Sequence, residues 1–302
     1  MNPLYLGVLL VFVSAASFGV MSIFAVFAYG AGVSVSTLLF LRFLFASAIF
    51  FGLILWKKES VRINKKQGLS LFLLGGILYT MQSLSFFSAV QYIPTSMAAL
   101  LLYTFPAFVA ILSFLVEKER LRKKTIIAMA VSFVGLAMVL GLSFGGIHPF
   151  GVFLALAAAI FYSVYIIVGN RVVKGLSPYV TSAYIALFAC FSTFLVAQKD
   201  GGIDLSFDVQ GWFALAGIVV FSTVVAISTF FRALQLISST KASVLSTFEP
   251  VVTFAASALL LGESFTWLQL VGGAAVLGGA VLIVSGKEEA EGQAAEKVEA
   301  VS

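Results

Sequence analysis

The chain has 302 residues, of which 61% are hydrophobic and only 10% charged, with a net charge of +5. A soluble domain carries about 25% charged residues, because part of any water-facing surface must stay polar. A mean hydropathy of +1.10 therefore excludes a soluble globular class and points to a chain that crosses a membrane many times. The basic excess falls in short gaps between apolar runs, which argues against a nucleic-acid partner. Cys190 is the lone cysteine, so no internal disulfide can form.

A membrane-spanning helix needs about 20 mostly apolar residues. The first run, MNPLYLGVLLVFVSAASFGV, has no Lys or Arg before it, so it reads as a span rather than a secretory signal. In chain order the predicted spans are 4–29, 34–56, 69–90, 94–116, 124–142, 149–169, 179–197, 211–235, 241–261 and 267–285. The remaining tail, KEEAEGQAAEKVEAVS, is polar and is expected to be a disordered cytoplasmic segment over 287–302.

Basic residues mark the cytoplasmic side of such chains. The gap after span two holds KKESVRINKK, the gap after span four holds EKERLRKK, and Arg171 and Lys174 follow span six. All lie on one side if both termini are cytoplasmic, as expected for a multi-pass protein of the inner (cell) membrane. The opposite gaps are short, or acidic on balance as in QKDGGIDLSFDVQ. Trp56, Trp212 and Trp267 stand at span ends, where an amphipathic ring suits the headgroup level.

The chain also repeats itself. AVQYIPTSMAALLLYTFP, ending at Pro106, aligns with ALQLISSTKASVLSTFEP, ending at Pro250, at an offset of 144. The same offset pairs Gly7-Val8 with Gly151-Val152, Glu119 with Glu263, and Gly135 with Gly279. Two domains follow, 1–145 and 146–286, each with five spans. Because five is odd, the second half enters the membrane the opposite way. That is the inverted repeat of secondary transporters, in which a midplane site is exposed alternately to either side.

The paired segments SMAALLLYTFPAFVAILSFLVEKERL and KASVLSTFEPVVTFAASALLLGESF, with RFLFA at 42–46, resemble the two repeats of EamA-type carriers in the drug/metabolite transporter superfamily. The resemblance covers about 4–285 and implies an all-α membrane fold of ten helices as two inverted five-helix repeats. It implies a small-molecule substrate, an amino acid or related metabolite, often moved outward; separately, no cofactor or metal is expected. A departure is Lys118, where the second repeat has Gly262. A multidrug or amine exporter of the same fold is the alternative. A membrane-embedded enzyme is a further one, set against the lack of any HExxH or GxSxG motif and a lone His148 in a predicted outer loop.

Ionisable groups at membrane depth cost about 2.5–3.5 kcal/mol at a helix centre. Glu249 lies about 12 Å into span nine at 1.5 Å per residue. It is a candidate substrate-amine ligand or proton carrier, or else a carboxylate that braces helices. Arg42 in span two could receive a substrate carboxylate, pair with Glu249, or snorkel to the headgroups. Arg232 and Lys241 flank a cytoplasmic turn and are expected to snorkel. Pro106 and Pro250 interrupt matched spans and are expected to act as architecture or hinges, freeing the carbonyls of Leu102 and Ser246. Yet Phe105 stands where the second half has Glu249, so the acid is a specialisation of one half.

Tyr79 and Gln82, and likewise Tyr162 and Tyr165, share a helix face at a spacing of three. With Tyr103 they line a candidate cavity or, alternatively, hydrogen-bond between helices. Small residues in spans five and ten (Ala128, Ser132, Ala137, Gly141; Ala274, Ala275, Gly278, Gly279) permit close helix approach. Those two spans should pack together as a scaffold, with a homodimer contact as the rival reading.

Overall fold

The computed structural model of the chain describes residues 3–105, 107–109, 111–112, 148–172, 176–234, 236, 245–246, 248–279 and 281–282, with single positions between 123 and 138. Pro106, Lys118, Lys241, most of the predicted fifth span and the tail 287–302 lie outside the described residues. All regular structure among the described residues is helical. The helices are α1 (Pro3–Gly19), α2 (Met21–Gly30), α3 (Val35–Trp56), α4 (Lys65–Phe72), α5 (Thr80–Ala89), α6 (Thr95–Leu102), α7 (Pro149–Val172), α8 (Pro178–Lys199), α9 (Val209–Val219), α10 (Ala226–Leu234), α11 (Phe248–Ala256) and α12 (Trp267–Gly279).

Six continuous stretches are long and apolar enough to cross a bilayer: Tyr5–Gly30, Val35–Trp56, Lys65–Ala89, Pro149–Val168, Tyr179–Lys199 and Val209–Phe230. Three further apolar helices are shorter, over Thr95–Val109, Phe248–Leu261 and Trp267–Gly279. Their starts follow local chemistry. Ser34 accepts from the Thr37 amide at the head of α3. Thr266 and Gln269 exchange side-chain and backbone hydrogen bonds at the head of α12.

The third span corrects the sequence expectation at its start. Residues 65–68 were expected in the loop, yet Asn64 and Gln67 form a reciprocal capping box and the helix begins at Lys65. Apolarity alone misses such a start, because the cap is polar and the first turn carries two lysines.

Two third spans share an irregularity. Leu73–Tyr79 joins α4 to α5 as a wide π turn, and Val220–Val225 joins α9 to α10 in the same way. Offset by 144, the first turn overlaps the second over 220–223. A π turn disrupts the regular i→i−4 ladder. In each, a threonine hydroxyl reaches the carbonyl five residues back: Thr80 to Gly75 at 2.9 Å, Thr223 to Ile218 at 2.9 Å.

Helix packing follows the same offset. α3 packs against α8, its own counterpart. α5 packs on α7, and the counterpart pair α10 on α1 does likewise. α6 lies on α7 as α11 lies on α1, and α6 touches α11. Loops tie α3 and α8 together at their ends. Residues 57–61 tie to the start of α8 through Lys57–Tyr179 and Val61–Tyr184, while Asp208 after α8 donates to the Ala31 carbonyl before α3.

The indoles of Trp56 and Trp267 are exposed and that of Trp212 is partly so, each at a helix end as an interfacial belt requires. Gly135, in the predicted fifth span, lies directly against α12. A Cβ there would come within 2.6 Å of the Gly272 carbonyl oxygen and 2.8 Å of the Ala275 methyl. The expected close approach of spans five and ten is therefore present at this point.

Gly135→Ala should lower stability by an overpacking cost of ~1–3 kcal/mol. Gly52→Ala, with open space around the added carbon, serves as the control. Thermal unfolding in detergent should show a lowered midpoint for the first and no loss for the second.

Candidate functional site

Pro250 sits in the first turn of α11 and cannot donate to the Ser246 carbonyl, four residues back. A carbonyl left unpaired in hydrocarbon costs several kcal/mol. The Ser246 carbonyl is reached from the other half of the chain. Tyr103, at the end of α6, places its hydroxyl 2.8 Å from the Ser246 carbonyl oxygen and 2.9 Å from Oε2 of Glu249. The proline, the acid and the tyrosine thus form one junction between the halves.

Glu249 is held there by its backbone as well. α11 meets α1 where Gly19 has no side chain, and a Cβ at Gly19 would fall 2.8 Å from the Glu249 carbonyl oxygen. Thr253 donates to the Gly19 carbonyl at 2.8 Å, clamping the two helices. The half-buried Glu249 side chain is thereby turned from α1 toward Tyr103.

Aromatic rings run on from this junction. Tyr103 meets Phe105 with centroids 5.7 Å apart, and Phe105 meets Tyr162 edge-on at 4.8 Å. Tyr162 and Tyr165 stack at 6.1 Å, Tyr165 meets Tyr79 at 5.6 Å, and Tyr79 meets Phe43 at 5.4 Å. Such separations suit offset and edge-to-face pairing. The spacing of three along one face of α7 is what stacks Tyr162 on Tyr165.

Arg42 stands at the far end of this ladder. It is 1% exposed, so it does not snorkel to the headgroups. Its Nε donates to Thr223 Oγ1 at 3.0 Å and its Nη2 to the Tyr79 hydroxyl at 3.2 Å. The guanidinium also lies 5.1 Å from the Phe43 ring centroid and 5.3 Å from that of Phe87. Among the described residues it has no carboxylate partner, Glu249 included.

Of the sequence-derived residues, Arg42, Tyr79, Tyr165, Tyr162, Tyr103 and Glu249 come together in this order. Gln82 is buried one turn beyond Tyr79, where its Oε1 accepts from Ser83 Oγ at 3.3 Å, and it takes no part in the ring contacts. Pro250 is buried at the junction, and Arg232 is exposed near the end of α10. Thr223 and Gly19 escaped the sequence reading, since neither residue type announces a contact across the fold.

Glu263 was also missed as more than an acidic loop residue. Its Oε1 accepts from the Thr95 amide and hydroxyl, both at 2.9 Å, and its Oε2 from Ser96 Oγ at 2.6 Å. A carboxylate from the second half therefore caps α6 of the first, where the helix dipole favours negative charge. A cleft of about 390 Å³ opens beside it, lined by Met97, Leu100, Phe254, Glu263 and Gln269. Leu100 and Phe254 lie about one turn along their helices from Tyr103 and Glu249.

The EamA-like transporter family model matches the chain twice, over residues 5–141 and 149–285. The chain is 24% identical over 260 residues to the uncharacterized transporter YetK of Bacillus subtilis, covering 82% of this chain and 78% of that one. It is 27% identical over 201 residues to an uncharacterized transporter of Archaeoglobus fulgidus, covering 66% and 70%. A Salmonella typhimurium protein named "Probable amino-acid metabolite efflux pump" is 26% identical over 212 residues, covering 66% and 71%. A solved chain described as "Crystal structure of protein" shares the fold with a TM-score of 0.65 at 19% identity, covering 91% of this chain and 95% of that one. The chain belongs to the EamA-like transporter family and is a multi-pass membrane protein.

Glu263→Ala should free the Thr95 amide and the first turn of α6. Hydrogen–deuterium exchange over 95–98 is expected to quicken about five- to thirtyfold, the scale of a lost cap of ~1–2 kcal/mol. Unchanged exchange there would show that the carboxylate is not what holds the turn.

Proposed function

We propose that this EamA-type transporter moves amino acids or related small metabolites out of the cell by alternating access. In this reading ten spans form two inverted five-helix repeats, 1–145 and 146–286, with both termini cytoplasmic and the protein in the cell (inner) membrane. The offset of 144 seen in the helix contacts supports the repeat, and the basic gaps support the orientation. We read the protein as a carrier rather than an enzyme, in line with its family and the names of its relatives.

The observation that carries the reading is the junction of Tyr103, Glu249 and Ser246, where matched proline-broken spans of the two halves meet. Broken spans at corresponding positions are where carriers of this architecture build a midplane site. Glu249 and Arg42 place groups of opposite sign at the two ends of an aromatic ladder. An amino acid with an apolar body complements such a lining, its amine toward the carboxylate and its body against the rings. A multidrug or amine exporter is the second reading, favoured by the same carboxylate and the tyrosine faces that attract cations.

Proton counting at the junction adds coupling to this reading. The Tyr103 hydroxyl has one proton and touches two oxygens. With a proton on Glu249, the acid donates to Tyr103 and Tyr103 donates to the Ser246 carbonyl, so all are satisfied. With Glu249 ionised, the phenol proton is drawn to the carboxylate and the Tyr103 contact to the Ser246 carbonyl weakens. A proton arriving or leaving would thus act on the contact between the halves.

The test is exchange of a labelled amino-acid pool across proteoliposomes at several pH values, with empty liposomes as the baseline. Wild type should exchange one class saturably and with a pH dependence. Glu249→Gln should abolish that dependence and cut flux at least about tenfold, a loss of ~1.4 kcal/mol or more in the barrier. A pH profile unchanged in the variant would sink the coupling, and no exchange of any member would sink the substrate class.

A further inference from the structure

Arg42 makes its two hydrogen bonds to residues that are counterparts of one another. Tyr79 and Thr223 differ by 144, and each ends or lies within the π turn of the third span in its half. A two-fold relation between the repeats carries this pair onto itself. It carries Arg42 onto Ala186, a buried alanine of α8 that has nothing to donate. The pair can therefore be approached from two equivalent sides, and only one side offers a cation.

In alternating access by inverted repeats, each half adopts the conformation of the other. The swapped state would set Ala186 where Arg42 now stands and draw Arg42 away from the pair. A guanidinium buried without a carboxylate among the described residues would then also lose its two hydroxyl partners. Charge-assisted bonds are the strong ones, and they strengthen further in a medium of low dielectric. Ala186 supplies no replacement.

We propose that Arg42 is a positioning residue of the transport cycle, a one-sided clasp on Tyr79 and Thr223 that biases the resting protein toward the state described here. It acts through those two hydroxyls and sets the relative population of the two states. This rests on the inverted-repeat reading above.

The test is double electron–electron resonance on the full chain in liposomes, in a Cys190→Ala background. One pair of spin labels, at Gln91 and Asp204, reports the separation of the halves at one membrane face. A second pair, at Lys66 and Leu236, reports the other face. Wild type should show one dominant distance per pair, and an added amino-acid pool should shift the two pairs in opposite senses. Arg42→Ala should raise the ratio of the second state at least about tenfold without any amino acid present. Thr223→Val should move it the same way by less.

Arg42→Lys should fall between, because an ammonium lacks the fork that reaches both hydroxyls. Switching by wild type with no change of resting ratio in Arg42→Ala and Thr223→Val would overturn the clasp and leave the carrier reading intact. Absence of opposite-sense shifts in every form would overturn both. A merely structural arginine would lower the unfolding temperature in Arg42→Ala while leaving the ratio of states where it was.

Discussion

A proline in a membrane helix cannot donate to the carbonyl four residues back, and in this protein a hydroxyl from the other half of the chain reaches that carbonyl. The Tyr103 hydroxyl donates to the Ser246 carbonyl, which Pro250 cannot serve. That one contact dictates much of what surrounds it. Tyr103 must sit at the end of α6, α11 must lie close enough to be reached, and Gly19 must lack a side chain for α11 to settle on α1. Glu249, beside the proline, shares the same phenol as a consequence of its position. Structure and chemistry thus meet at the point where the two halves touch.

The halves are alike in packing and unlike in charge. Helix pairs and π turns recur at a single offset. Two substitutions break that likeness: Glu249 against Phe105, and the buried Arg42 against Ala186. Both ionisable groups lie at the ends of one aromatic ladder. In a carrier that alternates between two states, as proposed above, a few such departures would suffice to set a preferred state. The cap that Glu263 places on α6 works on the same principle, since it ties a loop of one half to a helix of the other.

Much of this was legible in the sequence, for reasons that differ by residue. Long apolar runs announce spans because the bilayer fixes their length, and the offset of 144 announced the repeat. Glu249, Arg42 and the tyrosines stood out because polar groups at membrane depth are costly and must be used. Their partners were not legible. A membrane helix is apolar all round, so periodicity does not say which face points inward, and Arg42 was left between snorkelling, a substrate and Glu249. It bonds instead to Thr223 and Tyr79, across a π turn that no residue pattern marks. The start of α4 at Lys65 was hidden for a related reason: a capping box is polar, and apolarity was the ruler. The recurrence of Glu119 and Glu263 was noticed as repetition, yet its purpose at 263 appears only when Thr95 and Ser96 are in place beside it.

The claim at the centre of this account is that Tyr103 and Glu249 act as one unit joining the halves. A double-mutant cycle of Tyr103→Phe and Glu249→Ala, read as amino-acid exchange in proteoliposomes, tests it most directly. Each single variant is expected to lose about as much exchange as the pair together, because either change breaks the same contact. Losses that simply multiply would mean that the two side chains act independently, and would contradict it.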